Sequence, residues 1–190
     1  MARCYSVPVP NRQPSLPALW LVSDARNDDR IEAVLARLPR GSGLVFRHYH
    51  LPPQERRARF NALARTARRF GHVMVLAGEA RQARAWKAHG VYGAADRLAQ
   101  GPGVPRLVTV HNLRELAKAH RARADAVLIS PLFATASHPG GQTLGPVRFR
   151  LLASRSTVPV IALGGVTARR ARAFQLERWA AIDGLSASGR

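Results

Sequence analysis

The chain has 190 residues, 46% of them hydrophobic, which is one domain's worth of buried core and excludes wholesale disorder. A single cysteine, Cys4, excludes a disulfide scaffold and a cysteine-rich zinc site. Lys+Arg number 30 against 11 acids, a formal charge of +19, yet no apolar run approaches the roughly 20 residues that span a bilayer.

Residues 1–17, MARCYSVPVPNRQPSLP, hold four prolines and lack the apolar core of a signal peptide, so they read as an extended arm before a domain at 18–190. A cytoplasmic protein is expected. The first apolar run is Ala18–Ser23, followed by a helix with Ile31, Val34, Leu35 and Leu38 on one face and Asp29 and Glu32 as its capping box. A second run spans Gly43–Phe46, and Pro52-Pro53 then opens a long helix that turns Phe60, Leu63, Ala64 and Ala67 inward. The third run is His72–Ala77, with a helix carrying Ala83 and Trp86. A short fourth strand fits Gly90–Tyr92.

The fifth strand, Arg106–Val110, leads into a helix capped by Asn112 and Glu115, with Leu113, Leu116 and Ala117 packing inward. The sixth, Asp125–Ser130, precedes a long loop and a helix near Pro146–Ala153. The seventh, Val158–Leu163, ends in Gly164-Gly165 before a helix starting at Thr167, and the eighth is Ala180–Leu185. Continuous apolar strands alternating with helices predict a parallel sheet, and eight of them predict a closed (β/α)8 barrel of the TIM type; an open doubly wound sheet is the alternative. No room remains for an eighth helix, so the arm or a second copy is expected to cover the flank between strands eight and one.

In such a barrel, chemistry belongs to the loops after the carboxyl ends of the strands, often with a phosphate near strands seven and eight. The loop 130–141, SPLFATASHPGG, offers hydroxyls, a histidine and glycine amides. Gly164-Gly165 and Asp183-Gly184-Leu185-Ser186 add further donors. Arg47, at the end of a strand, points to an anion, because a guanidinium there is costly unless paired. His111 ends the fifth strand and is a candidate acid/base group, with a structural hydrogen-bonded role as the alternative. His48 and His50 flank Tyr49, and two histidines alone make no structural zinc site. Trp20, Trp86 and Trp179 are expected to pack. The arginines are spread over nearly every helix, without a recognition helix or an aromatic-interleaved basic motif, so a solvated surface is expected and nucleic-acid binding is the alternative.

SPLFATASHPGG followed by VPVIALGGVTARRA resembles the thiamine phosphate synthase family, including its thiazole tautomerase (TenI-like) relatives. LWLVSD, the arginine after the second strand and VTVHNLREL extend the resemblance over roughly residues 18–188. The resemblance implies a transferase of thiamine biosynthesis that joins a hydroxymethylpyrimidine diphosphate to a thiazole phosphate, with Mg2+ and cationic side chains on the departing diphosphate. Carried over by position, Thr135, Ser137, Gly164, Gly165, Gly184 and Ser186 would hold the thiazole phosphate. Arg47 and Thr109 would face the diphosphate, His138 stands where the family has a lysine, and Asp96 stands at a magnesium position.

This chain departs from the family's Q-x-R-x-K after strand two, reading Val45-Phe46-Arg47-His48-Tyr49, and has Ala77-Gly78-Glu79 in place of the Asn-Asp pair after strand three. The expected partner is therefore a phosphorylated small molecule. Alternatives to the synthase are a magnesium-free tautomerase-like isomerase and a catalytically degenerate binding relative, and a homo-oligomer fits any of the three.

Overall fold

Apolar runs too short for helices, separated by amphipathic stretches, become eight parallel strands in the computed structural model, which describes residues 16–135 and 140–185. In chain order the elements are β1 (Leu19–Val22), a 3-10 turn (Ala25–Arg30) running into α1 (Ile31–Arg37), β2 (Gly43–Phe46), α2 (Pro53–Arg69), β3 (Val73–Ala77), α3 (Ala80–Ala85), β4 (Gly90–Gly93) and α4 (Ala95–Leu98). The second half continues with β5 (Arg106–Val110), α5 (Leu113–Arg121), β6 (Ala126–Ile129), α6 (Gly145–Ala153), β7 (Val160–Ala162), α7 (Ala168–Ala173) and β8 (Trp179–Ala181). Each strand pairs with the next, and β8 pairs with β1 through Leu19 and Trp179. The sheet is therefore a closed (β/α)8 barrel rather than an open one. No helix follows β8 among the described residues.

Alternation along each strand sorts the side chains into two cores. Trp20, Val22, Val45, Val75, Tyr92, Leu107, Leu128, Ile161 and Ala180 fill the barrel, while Leu21, Phe46, Met74, Leu76, Val108 and Ile129 face the helices. Trp20 is the largest plug. Its register partner is Gly43, where a Cβ would stand 2.2 Å from the indole, and its Nε1–H donates to the Pro17 carbonyl at 2.9 Å. Leu16 packs on the same interior cluster. The remainder of the arm lies outside the described residues.

Helix faces follow the periodicity with two corrections. The capping box is not Asp29 with Glu32: Asp24 caps the 3-10 turn and Asn27 answers it, while α1 begins at Ile31 with Arg30 as an N-cap that makes no side-chain hydrogen bond. Asn27 is drawn into that role because its amide also donates to the Val22 and Ile182 carbonyls, tying the ends of β1 and β8 together. In α5, Leu116 and Ala119 are the buried pair, whereas Leu113 is 62% exposed and Ala117 is exposed. The Asn112 cap sets the start of that helix, and about 100° per residue then turns 113 and 117 toward a groove against Leu151 of α6. Among the described residues no helix is long and apolar enough to cross a membrane.

Candidate active site

Inward alternation does not stop where the strands end. Arg47 and Tyr49 continue the interior row of β2, Thr109 and His111 that of β5, and Ser130 that of β6. Leu163 and Ile182 continue β7 and β8. Together with Tyr92, Arg97, Thr135, Gly164 and the segment Gly141–Thr143 they line a cavity of about 540 Å³ at the carboxyl end of the barrel.

The side toward β6–β8 is built by loops zipped to one another. Leu132 and Phe133 donate to the Leu163 and Gly164 carbonyls at 2.9 and 3.0 Å. Gly164 (φ +94°) and Gly165 (φ +61°) hold left-handed conformations, and a Cβ on Gly165 would meet the Ala134 carbonyl at 2.3 Å. A Cβ on Gly184 would meet the Val166 carbonyl at 2.3 Å. These glycines allow three loops to approach at backbone contact, so any side chain at Gly165, charged or not, forces the loops apart. No carbonyl among the described residues accepts from the Gly164 or Gly165 amide. Thr167 caps α7, and Arg170 lies over the Phe133 ring and donates to the Gly165 carbonyl.

The side toward β2–β4 is cationic. The Arg47 amide donates to Ser23 Oγ at 2.8 Å, and its guanidinium stands 3.8 Å from Asp24. Behind it, His48 is buried between Ser23 Oγ and Asp28 Oδ1, each 2.7 Å from a ring nitrogen. Burial lowers the His48 pKa, and the Asp28 hydrogen bond and charge offset this only in part. The neutral ring then donates Nε2–H to Asp28 and accepts the Ser23 hydroxyl at Nδ1, which leaves Ser23 Oγ to accept from Arg47. Arg56 closes the gap between β2 and β3, donating to the Arg47 carbonyl at 3.1 Å and the Ala77 carbonyl at 2.6 Å. Tyr92 lies on the same wall as Arg47; burial pushes its hydroxyl up to about 12, outweighing the lowering by Arg47, so it stays a donor.

His111 stands between the two sides. Its Nδ1 and its backbone N–H meet Glu115 Oε2 at 2.7 and 2.8 Å, and Asn112 donates to Oε1 at 2.9 Å. Burial raises the Glu115 carboxyl, but these donors and the His111 charge outweigh it and hold it below its ordinary value. A carboxylate on Nδ1 leaves Nε2 as the exchangeable position.

Of the residues singled out from sequence, Arg47, Thr109, His111, Thr135 and Gly164 line the one cavity, with Gly165 and Gly184 in the loops beside it. Ser137, His138 and Ser186 lie outside the described residues. Asp96 does not line the cavity: it is exposed and accepts from Lys118 at 2.7 Å. Tyr49, Tyr92 and Ser130 were legible from the same alternation as Arg47. Arg97 carried no signal, since it belongs to a one-turn helix.

The family model of thiamine monophosphate synthase matches residues 19–185. The chain belongs to the thiamine monophosphate synthase family. It is 29% identical to a thiamine-phosphate synthase of Geobacillus thermodenitrificans over 89% of this chain and 81% of that one. It is also 36% identical over 59 residues to a putative thiamine-phosphate synthase 2 of Aquifex aeolicus, 32% of that protein's length. A thiamine phosphate pyrophosphorylase from Pyrococcus furiosus shares the fold with TM-score 0.73 at 19% identity, covering 91% of this chain and 89% of that one. The YdjI aldolase of Escherichia coli shares it at 0.63 and 8% identity over 88% and 75% of the two chains, so the barrel alone decides no chemistry.

Within this family the magnesium expected from the resemblance finds no matching donors among the described residues. No carboxylate is among the lining residues, Asp96 is paired to Lys118, and the Arg56 guanidinium is bonded across the end of β3. Glu79, which follows β3, is exposed and outside the lining. Asp28, His48 and His50 bring ligand atoms within 4.8 Å of one another, but outside the lining, with Asp28 engaged by Arg59 and both nitrogens of His48 in hydrogen bonds. That group fits a structural network better than a cation.

Proposed function

We propose that the protein is a thiamine phosphate synthase-type transferase that condenses a hydroxymethylpyrimidine diphosphate with a thiazole phosphate. The observation that carries this reading is a single cavity with two anion-receptive sides: Arg47 and Arg97 on one, and the glycine-paired loops with Thr135 on the other. In the reaction the bond from the pyrimidine methylene to the diphosphate oxygen breaks, and its electron pair leaves with the diphosphate. The thiazole nitrogen lone pair then forms the new C–N bond, giving a thiazolium. No proton need move. Guanidinium groups lower the barrier by meeting charge that grows on the leaving oxygen, and the shared cavity aligns nitrogen and carbon.

The test is to mix the purified protein with both substrates and follow thiamine phosphate and pyrophosphate. Thr135→Val is expected to raise KM for the thiazole phosphate several-fold with little change in kcat. Absence of product at high enzyme concentration would overturn the reading.

A second reading is favoured by the His111–Glu115 pair: a tautomerase-like isomerisation of the thiazole phosphate alone, with Nε2 moving the proton. It predicts solvent-deuterium incorporation into the thiazole phosphate without the pyrimidine substrate, lost in His111→Asn.

A further inference from the structure

The Arg97 guanidinium has no hydrogen-bond or ion-pair partner among the described residues, although the residue lines the cavity. It is exposed, at the mouth of the cavity that it shares with Arg47. On the single turn of α4, adjacent side chains diverge by about 100°. Asp96 leaves toward Lys118 on α5, and Arg97 lines the mouth of the cavity. The family's position for a metal-binding carboxylate is thus vacated and a cation follows it by one residue.

On the same side of the cavity, Arg47 is held in place mainly through its main chain. Its amide is bonded to Ser23 and its carbonyl to Arg56, while its guanidinium has Asp24 at 3.8 Å and stands 5.8 Å from the centroid of the Tyr49 ring. Two guanidinium groups and the Tyr49 and Tyr92 side chains line this side, with no carboxylate among the lining residues. A divalent cation here would meet like charges from Arg47, Arg56 and Arg97 and no carboxylate among the lining residues. A diphosphate would meet two forks suited to its oxygens.

We propose that the protein binds the diphosphate end of its substrate directly between Arg47 and Arg97, with no divalent metal ion, so that Arg97 takes over the charge-neutralising task of the missing magnesium site. The assignment rests on the condensation reading for its substrate but concerns binding alone.

The experiment titrates inorganic pyrophosphate into the full chain by calorimetry, once with EDTA and once with excess Mg2+. Binding is expected in EDTA, with affinity unchanged or weaker in Mg2+. Arg97→Ala is expected to weaken it about tenfold or more, with Arg97→Lys intermediate. Arg172→Ala, on the exposed face of α7, serves as the control for attraction by net charge and is expected to leave affinity within about twofold. Because the Arg97 guanidinium has no partner among the described residues, its variants are expected to keep the wild-type melting temperature. Binding that requires Mg2+, or that Arg97→Ala and Arg172→Ala weaken equally, overturns the proposal. Metal-free binding lost in Arg97→Ala without any thiamine phosphate formed would sink the condensation reading and leave the clamp standing; magnesium-dependent product would do the reverse.

Discussion

His48 sits in the left-handed region at φ +33° with its ring stacked on Phe46 at 4.6 Å, and its two nitrogens connect β1, β2 and the 3-10 turn. Arg59 completes the network, bonding Asp28 and Glu32 from α2. Burial holds the folded pKa of His48 below the unfolded value near 6.5, so the unfolded chain takes up the proton first. Its stabilising effect is full above about pH 6.5 and is lost as the pH falls toward the folded pKa. One such group contributes at most about 1.4 kcal/mol per pH unit. Denaturant unfolding is therefore expected to give lower stability at about pH 5.5 than at about pH 7.5. His48→Asn, chosen because Asn tolerates a positive φ, should be less stable at the higher pH and show a flatter profile. An undiminished slope in that variant would assign the dependence to another histidine. The lowered Asp28 carboxyl acts in a separate window, below its ordinary 3.8.

At the level of elements, the barrel floor depends on a glycine facing a tryptophan. Gly43→Ala places a methyl group inside the Trp20 ring contact and is expected to cost about 1–3 kcal/mol in urea unfolding. An unchanged midpoint would mean that the indole swings aside without penalty. The orientation of α5 can be checked in the same way. Leu116→Ala, at a site 2% exposed, is expected to cost about 2–5 kcal/mol, whereas Leu113→Gln, at 62% exposed, should stay within about 0.5 kcal/mol. Comparable losses at both positions would rotate the helix back to the face expected from periodicity alone.

Over the whole molecule, charge is distributed more unevenly than a scan along the helices suggests. Residues 126–176 contain no Asp or Glu, and Arg148, Arg150, Arg155, Arg169, Arg170 and Arg172 in that span are all exposed. None of the six has an acidic partner among the described residues. With a net charge of +19, self-repulsion opposes the folded state and salt relieves it. Raising ionic strength from about 0.02 M to about 0.2 M is expected to raise Tm, as the Debye length contracts from roughly 20 Å to under 10 Å. A fall in Tm would show that attractive ion pairs outweigh the repulsion.

The eight strands and the closed barrel were readable in the chain because burial on both faces demands continuous apolar runs, and strand–helix alternation admits few parallel arrangements. Arg47, Thr109 and His111 were readable too, because a period of two carries the interior row past the strand end into the cavity. The capping box forms one motif before the one expected: Asp24 with Asn27 and Asp29 with Glu32 have the same spacing, and the carbonyls of Val22 and Ile182, from opposite ends of the chain, select the first. The same reason separates Asp96 from Arg97. Local pattern places both on one turn of helix, but Lys118 from α5 draws the carboxylate outward and the ring of strand ends leaves the cavity to the guanidinium. Periodicity follows from backbone geometry and is written locally, whereas the choice between neighbouring polar side chains is made by groups that only the closed barrel brings near.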